Sequence, residues 1–183
     1  MITFVAQLNV RDVTNWVKAL DRVLDRAHHW ADRNGGELNR RCARDYSNAV
    51  LLAIYNQRFS YPSYNDRYTT WKLRVGKGGE GFWKLKGDLA RALTHFREDI
   101  GWKGGIPAEA MDSGGKSWFG NLDRGPRKPI AMYGIVMEFG GNFGRAGRHP
   151  ARPLFWPVYK EFAVTEWPRA HWVALEDMGN HWR

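Results

Sequence analysis

The sequence predicts an α+β domain: two N-terminal helices packed on a small, mainly antiparallel sheet, with long loops and a C-terminal helix. Three observations predict it. Apolar residues recur at helical spacing between Val13 and Gln57. Short β-rich runs, Met1–Leu8 and Trp71–Val75, are too brief for anything but a small sheet. Glycine and proline then interrupt the second half until an apolar, proline-initiated segment opens at Pro157. At 183 residues the chain fits one domain over 1–183, large enough to bury a core of its own.

Met1–Leu8 reads as a strand. Asp12 or Thr14 can cap the helix that follows, in which Val13, Trp16, Val17, Leu20, Val23, Leu24, Ala27 and Trp30 form an apolar face. Arg11, Lys18, Asp21, Arg22, Asp25 and Arg26 fall largely opposite, and Asn34-Gly35-Gly36 ends the helix. A second helix runs from about Glu37 to Gln57 with Leu38, Cys42, Tyr46, Ala49, Val50 and Ala53 inward. Its first half carries Arg40, Arg41 and Arg44, which suits either a solvated face or an interaction surface. Phe59–Tyr68 reads as loop; Tyr61, Tyr64 and Tyr68 serve either an interface or an anchor to the domain's own core. Gly76–Gly81 is a turn after the Trp71–Val75 strand, and Asp88 starts a helix to about Glu98, where a carboxylate favours the free N–H groups. A long irregular loop covers about 99–129.

The stretch Ile130–Phe162 organises the chain. Ile130–Phe139 is apolar enough for a short buried helix or turn, and Gly140-Gly141 stop it. A basic glycine-rich loop, Asn142–Arg148, leads into His149-Pro150-Ala151-Arg152-Pro153, which the prolines hold extended. That arm delivers Leu154, Phe155 and Trp156 as an apolar plug, after which Pro157 opens a helix. The helix is expected over Val158–Trp167, with a break or kink at Pro168 and a continuation through Ala170–Met178. Together these make an extended helical tail over about 157–183. Glu138, the one acid inside the apolar stretch, either pairs with an arginine such as Arg152 or ends its helix exposed to water.

Composition narrows the partners. The net charge is +9, which favours an anionic neighbour such as nucleic acid, an acidic protein surface or a membrane; simple solubility is the plainer explanation. Ten tryptophans supply either core or interface area. Cys42 is the single cysteine, so no intrachain disulfide or cysteine-based zinc site forms, in keeping with a reducing cytoplasm. No apolar run is long enough to span a bilayer, and Ile2–Val5 is too short for a signal peptide.

Chemical motifs are few. Ala110–Ser117, with Gly114, Gly115, Lys116 and Ser117, fits a loose P-loop pattern. The segment before it, Gly104–Glu109, is no buried strand, and Gly125-Pro126 stops any following helix, so no phosphate cradle is expected. The six histidines are scattered; adjacent His28 and His29 point to different helix faces. No nucleophile elbow or clustered carboxylates point to an enzyme, and no catalytic residue, cofactor or metal is assigned.

Tyr133-Gly134-Ile135-Val136-Met137-Glu138-Phe139-Gly140, the basic loop, and Pro150-Ala151-Arg152-Pro153-Leu154-Phe155 together resemble the neck, tail-completion and virion-morphogenesis proteins of tailed bacteriophages. In those chains a tyrosine, Glu-Phe-Gly, a loop, Pro-Ala-Arg-Pro-Phe and a helix follow in that order. Phe82–Leu93 resembles an upstream helix start of the same family, so the likeness covers roughly residues 80–165. The long loop at 99–129 and the tryptophan-rich C-terminus depart from the pattern. The resemblance implies a non-enzymatic virion protein of the head–tail connection, one subunit of a ring, expected to be sixfold, around the DNA exit path. Neighbouring connector and tail proteins, and packaged double-stranded DNA bound without sequence preference, would be its partners; no membrane is implied. Glu138, Phe139, Arg152, Leu154, Phe155 and Trp156 are the expected subunit interface. Arg40, Arg41, Arg44, Arg145 and Arg148 are the DNA-channel candidates. The alternative is a free, non-sequence-specific nucleic-acid-binding protein, in which Tyr and Trp among Lys and Arg form a stacking platform.

Overall fold

A computed structural model describes residues 10–32, 36–61, 66, 70, 87–98, 101–111, 129–142 and 148–180. The expected strands at Met1–Leu8 and Trp71–Val75, the P-loop-like Asp112–Ser117, Tyr64 and Tyr68 lie outside the described residues.

The architecture is α+β. Helix α1, Val10–Ala31, and helix α2, Glu37–Tyr55, come first, followed by the short helix α3, Asp88–Ala92. Strands β1, Thr94–Glu98, and β2, Gly101–Gly105, form an antiparallel hairpin in which His95 faces Gly104. Helix α4 is Ile130–Phe139; β3, Gly141–Asn142, pairs antiparallel with β4, Arg148–His149. Helices α5, Phe155–Val164, and α6, Glu166–Asn180, complete the described chain. None of these helices is long and apolar enough to cross a membrane.

Helix α2 is the hub, touching α1, both strands of the hairpin, α5 and α6. Its buried stripe is Ala43, Ser47, Val50, Ala53 and Ile54, a helical repeat that starts small and ends large. The large end meets Leu89 of α3, Ile130 of α4, and Leu154 and Val158 beside and within α5 to form the core. The small end lets β2 lie directly on the helix. A Cβ placed on Gly104 would collide with the Ala43 carbonyl oxygen and sit 2.9 Å from Ser47 Oγ. Ser47 Oγ lies 2.7 Å from Thr94 O and 2.9 Å from Ala43 O, so its one proton links helix to hairpin.

Several sequence expectations change. Asp12 and Thr14 lie inside α1, so neither caps it. The helix expected from Asp88 to Glu98 stops at Ala92, because Leu93 turns extended (φ −65°, ψ 118°) and Thr94–Glu98 pairs with Gly101–Gly105. A five-residue helix has little cohesion of its own, whereas the hairpin gains a ladder and a packed face on α2. The loop at 99–129 therefore contains a strand at its start. The C-terminal helices divide at Thr165, not at Pro168. Pro168 is the third residue of α6, where the absent N–H would have had no partner.

Cys42 is half-buried on α2. Burial pushes its thiol pKa up, the nearby Asp45 carboxylate adds to this, and Arg41 opposes it. A raised thiol pKa keeps the group neutral at pH 8, so alkylation by iodoacetamide is expected to run several-fold slower than that of a free thiol such as glutathione. Equal rates would show that Cys42 is neither shielded nor raised.

Candidate subunit interface

The two halves of the Glu-Phe-Gly and Pro-Ala-Arg-Pro pattern meet through one carboxylate. Glu138 stands near the end of α4 and is 8% exposed. Its Oε2 accepts hydrogen bonds from the backbone N–H of Leu154 at 2.7 Å and of Phe155 at 3.0 Å; Oε1 accepts from Trp156 N–H at 3.0 Å. These are the leading N–H groups of α5, which no intrahelical carbonyl can reach. The next residue is Pro157, which has no N–H, and Val158 N–H then donates to Leu154 O at 3.2 Å. The carboxylate and the proline together account for every donor at that helix start. Glu138 thus acts as an N-cap supplied from 16 residues upstream, with its negative charge at the positive end of the helix. Neither sequence expectation for Glu138, an arginine partner or an exposed helix end, describes this arrangement.

The arm does not reach outward. Arg152 N–H donates to Met137 O at 2.7 Å, and Tyr61 Oη–H donates to Pro153 O at 2.5 Å, so the extended segment lies against its own α4 and the loop after α2. Tyr61 therefore serves as an internal anchor. Gly140, at φ 67°, makes the return possible by turning the chain through a conformation that favours glycine. Arg152 and Leu154 are each only 1% exposed and offer no area to a neighbour. Leu154 enters the subunit's own core, where full burial of such a side chain is worth about 1.5–3 kcal/mol.

What faces outward is the next pair. Phe155 is half-buried and Trp156 is 57% exposed, while Phe139 at the end of α4 is 76% exposed. With Ile135, Tyr159 and Tyr46 they line an apolar groove of about 500 Å³, with Ile106 and Gly134 beneath and Glu138 on its floor. The groove wall is ordered by aromatic contacts. Trp156 stacks on Tyr159 at 5.6 Å between ring centroids, and Lys160 Nζ lies 5.3 Å from the Trp156 ring centre. Tyr46 meets Phe162 edge-on at 5.8 Å, and its Oη–H donates to Phe155 O at 3.0 Å. Burial raises the Tyr46 pKa, with the Glu138 charge adding to the shift, so the hydroxyl stays a donor.

The basic candidates are more balanced than their sequence suggests. Arg40 binds Glu37 through Nε at 2.8 Å and Nη2 at 2.9 Å, and that bond holds the Glu37 carboxyl below its ordinary pKa. Arg44 pairs with Asp45 at 3.0 Å and Arg41 approaches the same carboxylate at 3.7 Å. Three arginines thus face two acids along one exposed helix edge, the pattern of a solvated face. Arg145 lies outside the described residues, and of Arg148 only the backbone in β4 is described.

A second, polar concavity of about 520 Å³ lies between the end of α1 and the start of α2, lined by Asp25, His28, His29, Asp32 and Glu37. Among the described residues no group of three or more His, Cys, Asp or Glu side chains is placed to hold a metal ion.

Compared with known proteins, the chain matches no family model, no curated protein sequence and no solved structure.

Proposed function

We propose that this chain is a structural virion protein of the head–tail connection of a tailed bacteriophage, a ring subunit that joins head to tail around the DNA exit channel. One observation carries the reading: the two sequence halves that carry the family resemblance form a single device. Glu138 of the first half fixes the backbone of Leu154, Phe155 and Trp156 of the second. The device presents Phe139 and Trp156 to solvent beside an apolar groove, which suits assembly rather than catalysis. The work of such a subunit is geometric: it grips its neighbours and the rings above and below.

The net charge of +9 supports a place beside DNA, which would be held through its phosphates without regard to sequence. Purified rings are expected to bind unrelated duplexes with similar affinity, falling steeply as salt rises. Arg40→Gln is expected to change that affinity less than about twofold, because its guanidinium is already held by Glu37. A tenfold loss in a filter-binding titration would place Arg40 on the DNA.

The direct test is location. Particles assembled with an epitope-tagged copy of this chain should bind gold-labelled antibody at the head–tail junction. Label on the capsid shell or tail tip, or none on intact particles, overturns the reading.

A further inference from the structure

Among the described residues that line the α4–α5 groove, Glu138 is the single charged one, and it is an anion. The rest of the lining is neutral, and much of it is aromatic: Tyr46, Phe139, Phe155, Trp156 and Tyr159. Glu138 keeps acceptor capacity. Oε2 takes two backbone N–H groups, but Oε1 takes only that of Trp156, at 3.0 Å, and a carboxylate oxygen can accept two bonds. Its charge is felt across the groove: burial first, and then this carboxylate, push the Tyr46 hydroxyl above its ordinary pKa. The rings act in the same sense, since an aromatic face carries the negative end of the ring quadrupole. The chain itself gives an example on the rim, where Lys160 Nζ lies 5.3 Å from the centre of the Trp156 ring.

We propose that the α4–α5 groove binds an arginine side chain of a neighbouring protein, with its stem along Ile106, Ile135 and Phe139 and its guanidinium between Glu138 Oε1 and the aromatic wall. The inference deepens the reading of the groove as an assembly surface, and rests on it for the source of the arginine. Charge selects the occupant. An anion would meet the carboxylate and the ring faces. A purely apolar side chain would fill the volume but leave the second acceptor site of Oε1 buried without a donor, which is costly. A cation on an apolar stem satisfies both the walls and the floor. Between the two basic side chains, guanidinium is the more weakly hydrated, so it enters an apolar groove at less cost than ammonium. Its planar fork can also lie against a ring while one N–H reaches the carboxylate. The groove volume, about 500 Å³, falls in the range of about 300–1,000 Å³ typical of pockets that take one small ligand.

The probe is N-acetyl-arginine methylamide, titrated into isotope-labelled protein and followed by NMR at the Trp156 indole N–H, a signal assigned by its loss in Trp156→Leu. N-acetyl-citrulline methylamide, which has the same shape without the charge, is the control. The arginine derivative should shift the Trp156 signal saturably, with an affinity about tenfold above that of the citrulline derivative. Glu138→Gln, which can keep two of the three cap bonds, should reduce that preference to about twofold or less. Lys160→Met removes the competing cation from the rim and should tighten arginine binding by about threefold. No saturable shift with the arginine derivative, equal affinity for citrulline, or a preference that survives Glu138→Gln overturns the assignment. So does arginine binding that is unchanged or weaker in Lys160→Met, a comparison that leaves the cap intact. Antibody label at the head–tail junction with an unresponsive groove rejects this contact alone; a responsive groove without that label rejects the head–tail reading alone.

Discussion

Glu138→Ala is expected to lower the stability of the subunit by about 3 kcal/mol, the largest loss from any single polar side chain described above. The three N–H groups at the start of α5 would lose their acceptor together. A hydrogen bond to a charged acceptor is worth roughly 1.5–3 kcal/mol, and a buried donor left alone adds about 1–3 kcal/mol; water entering from the groove limits the sum. At this chain length that corresponds to a melting temperature lower by roughly 6–12 °C. Glu138→Gln should cost about half as much. Its amide oxygen can keep the Leu154 and Phe155 bonds, while its NH₂ group meets the Trp156 N–H donor to donor. The order Ala worse than Gln worse than parent, read by differential scanning calorimetry, is the signature of the cap. An alanine variant that melts within 1 °C of the parent would show that α5 does not depend on it. Because the same bonds position Phe155 and Trp156, loss of the cap should also weaken the ring assembly proposed above beyond what the melting temperature explains.

Gly104→Ala is expected to cost a similar amount, about 3 kcal/mol, for the opposite reason: an atom is added where there is no room. The new methyl would press on the Ala43 carbonyl, which is helix backbone and cannot rotate away, and on Tyr46 Cδ1 at 3.0 Å. Relief requires the hairpin to lift from α2, which also stretches the 2.7 Å Ser47–Thr94 bond. Gly179→Ala is the control, since its Cβ would meet nothing within 4 Å; it should be neutral or slightly stabilising. Equal melting temperatures for the two variants would mean that β2 does not rest on α2 as closely as described.

The amphipathic α1 and α2 were readable because an apolar residue every three or four positions is a local signal that tertiary structure only has to accept. Gly140 and Pro157 were readable for the same reason, since each imposes its geometry on its own neighbours. The Asp88–Glu98 segment was misread because its fate depends on a partner strand, Gly101–Gly105, whose glycines carry no strand signal of their own. Gly104 serves closeness to α2, whereas Gly101 and Gly105, with open space around them, serve backbone angles of φ 138° and 150° that favour glycine. At the candidate interface, the pattern named the residues that meet around Glu138 but not which of them face inward and which outward. Leu154 and Trp156 are two residues apart and equally apolar, yet one is 1% and the other 57% exposed. Only the direction of α5 separates them, and that direction is set by Glu138, whose role depends on a contact spanning 16 residues. The arginine cluster was ambiguous because Glu37 and Asp45 read equally well as separate surface charges until their distances were known.

The bond between Trp30 and Asp177 spans 147 residues, and that separation has a meaning in time. On the ribosome, at about 5–20 residues per second, α6 is made roughly 7–30 s after α1. Until then α1 can pack on α2, but Trp30 lacks the Asp177 carboxylate that accepts its indole N–H. A nascent chain thus holds its first helix against α2 alone, and the Trp30 end is tied down on its second side only when the last described helix arrives.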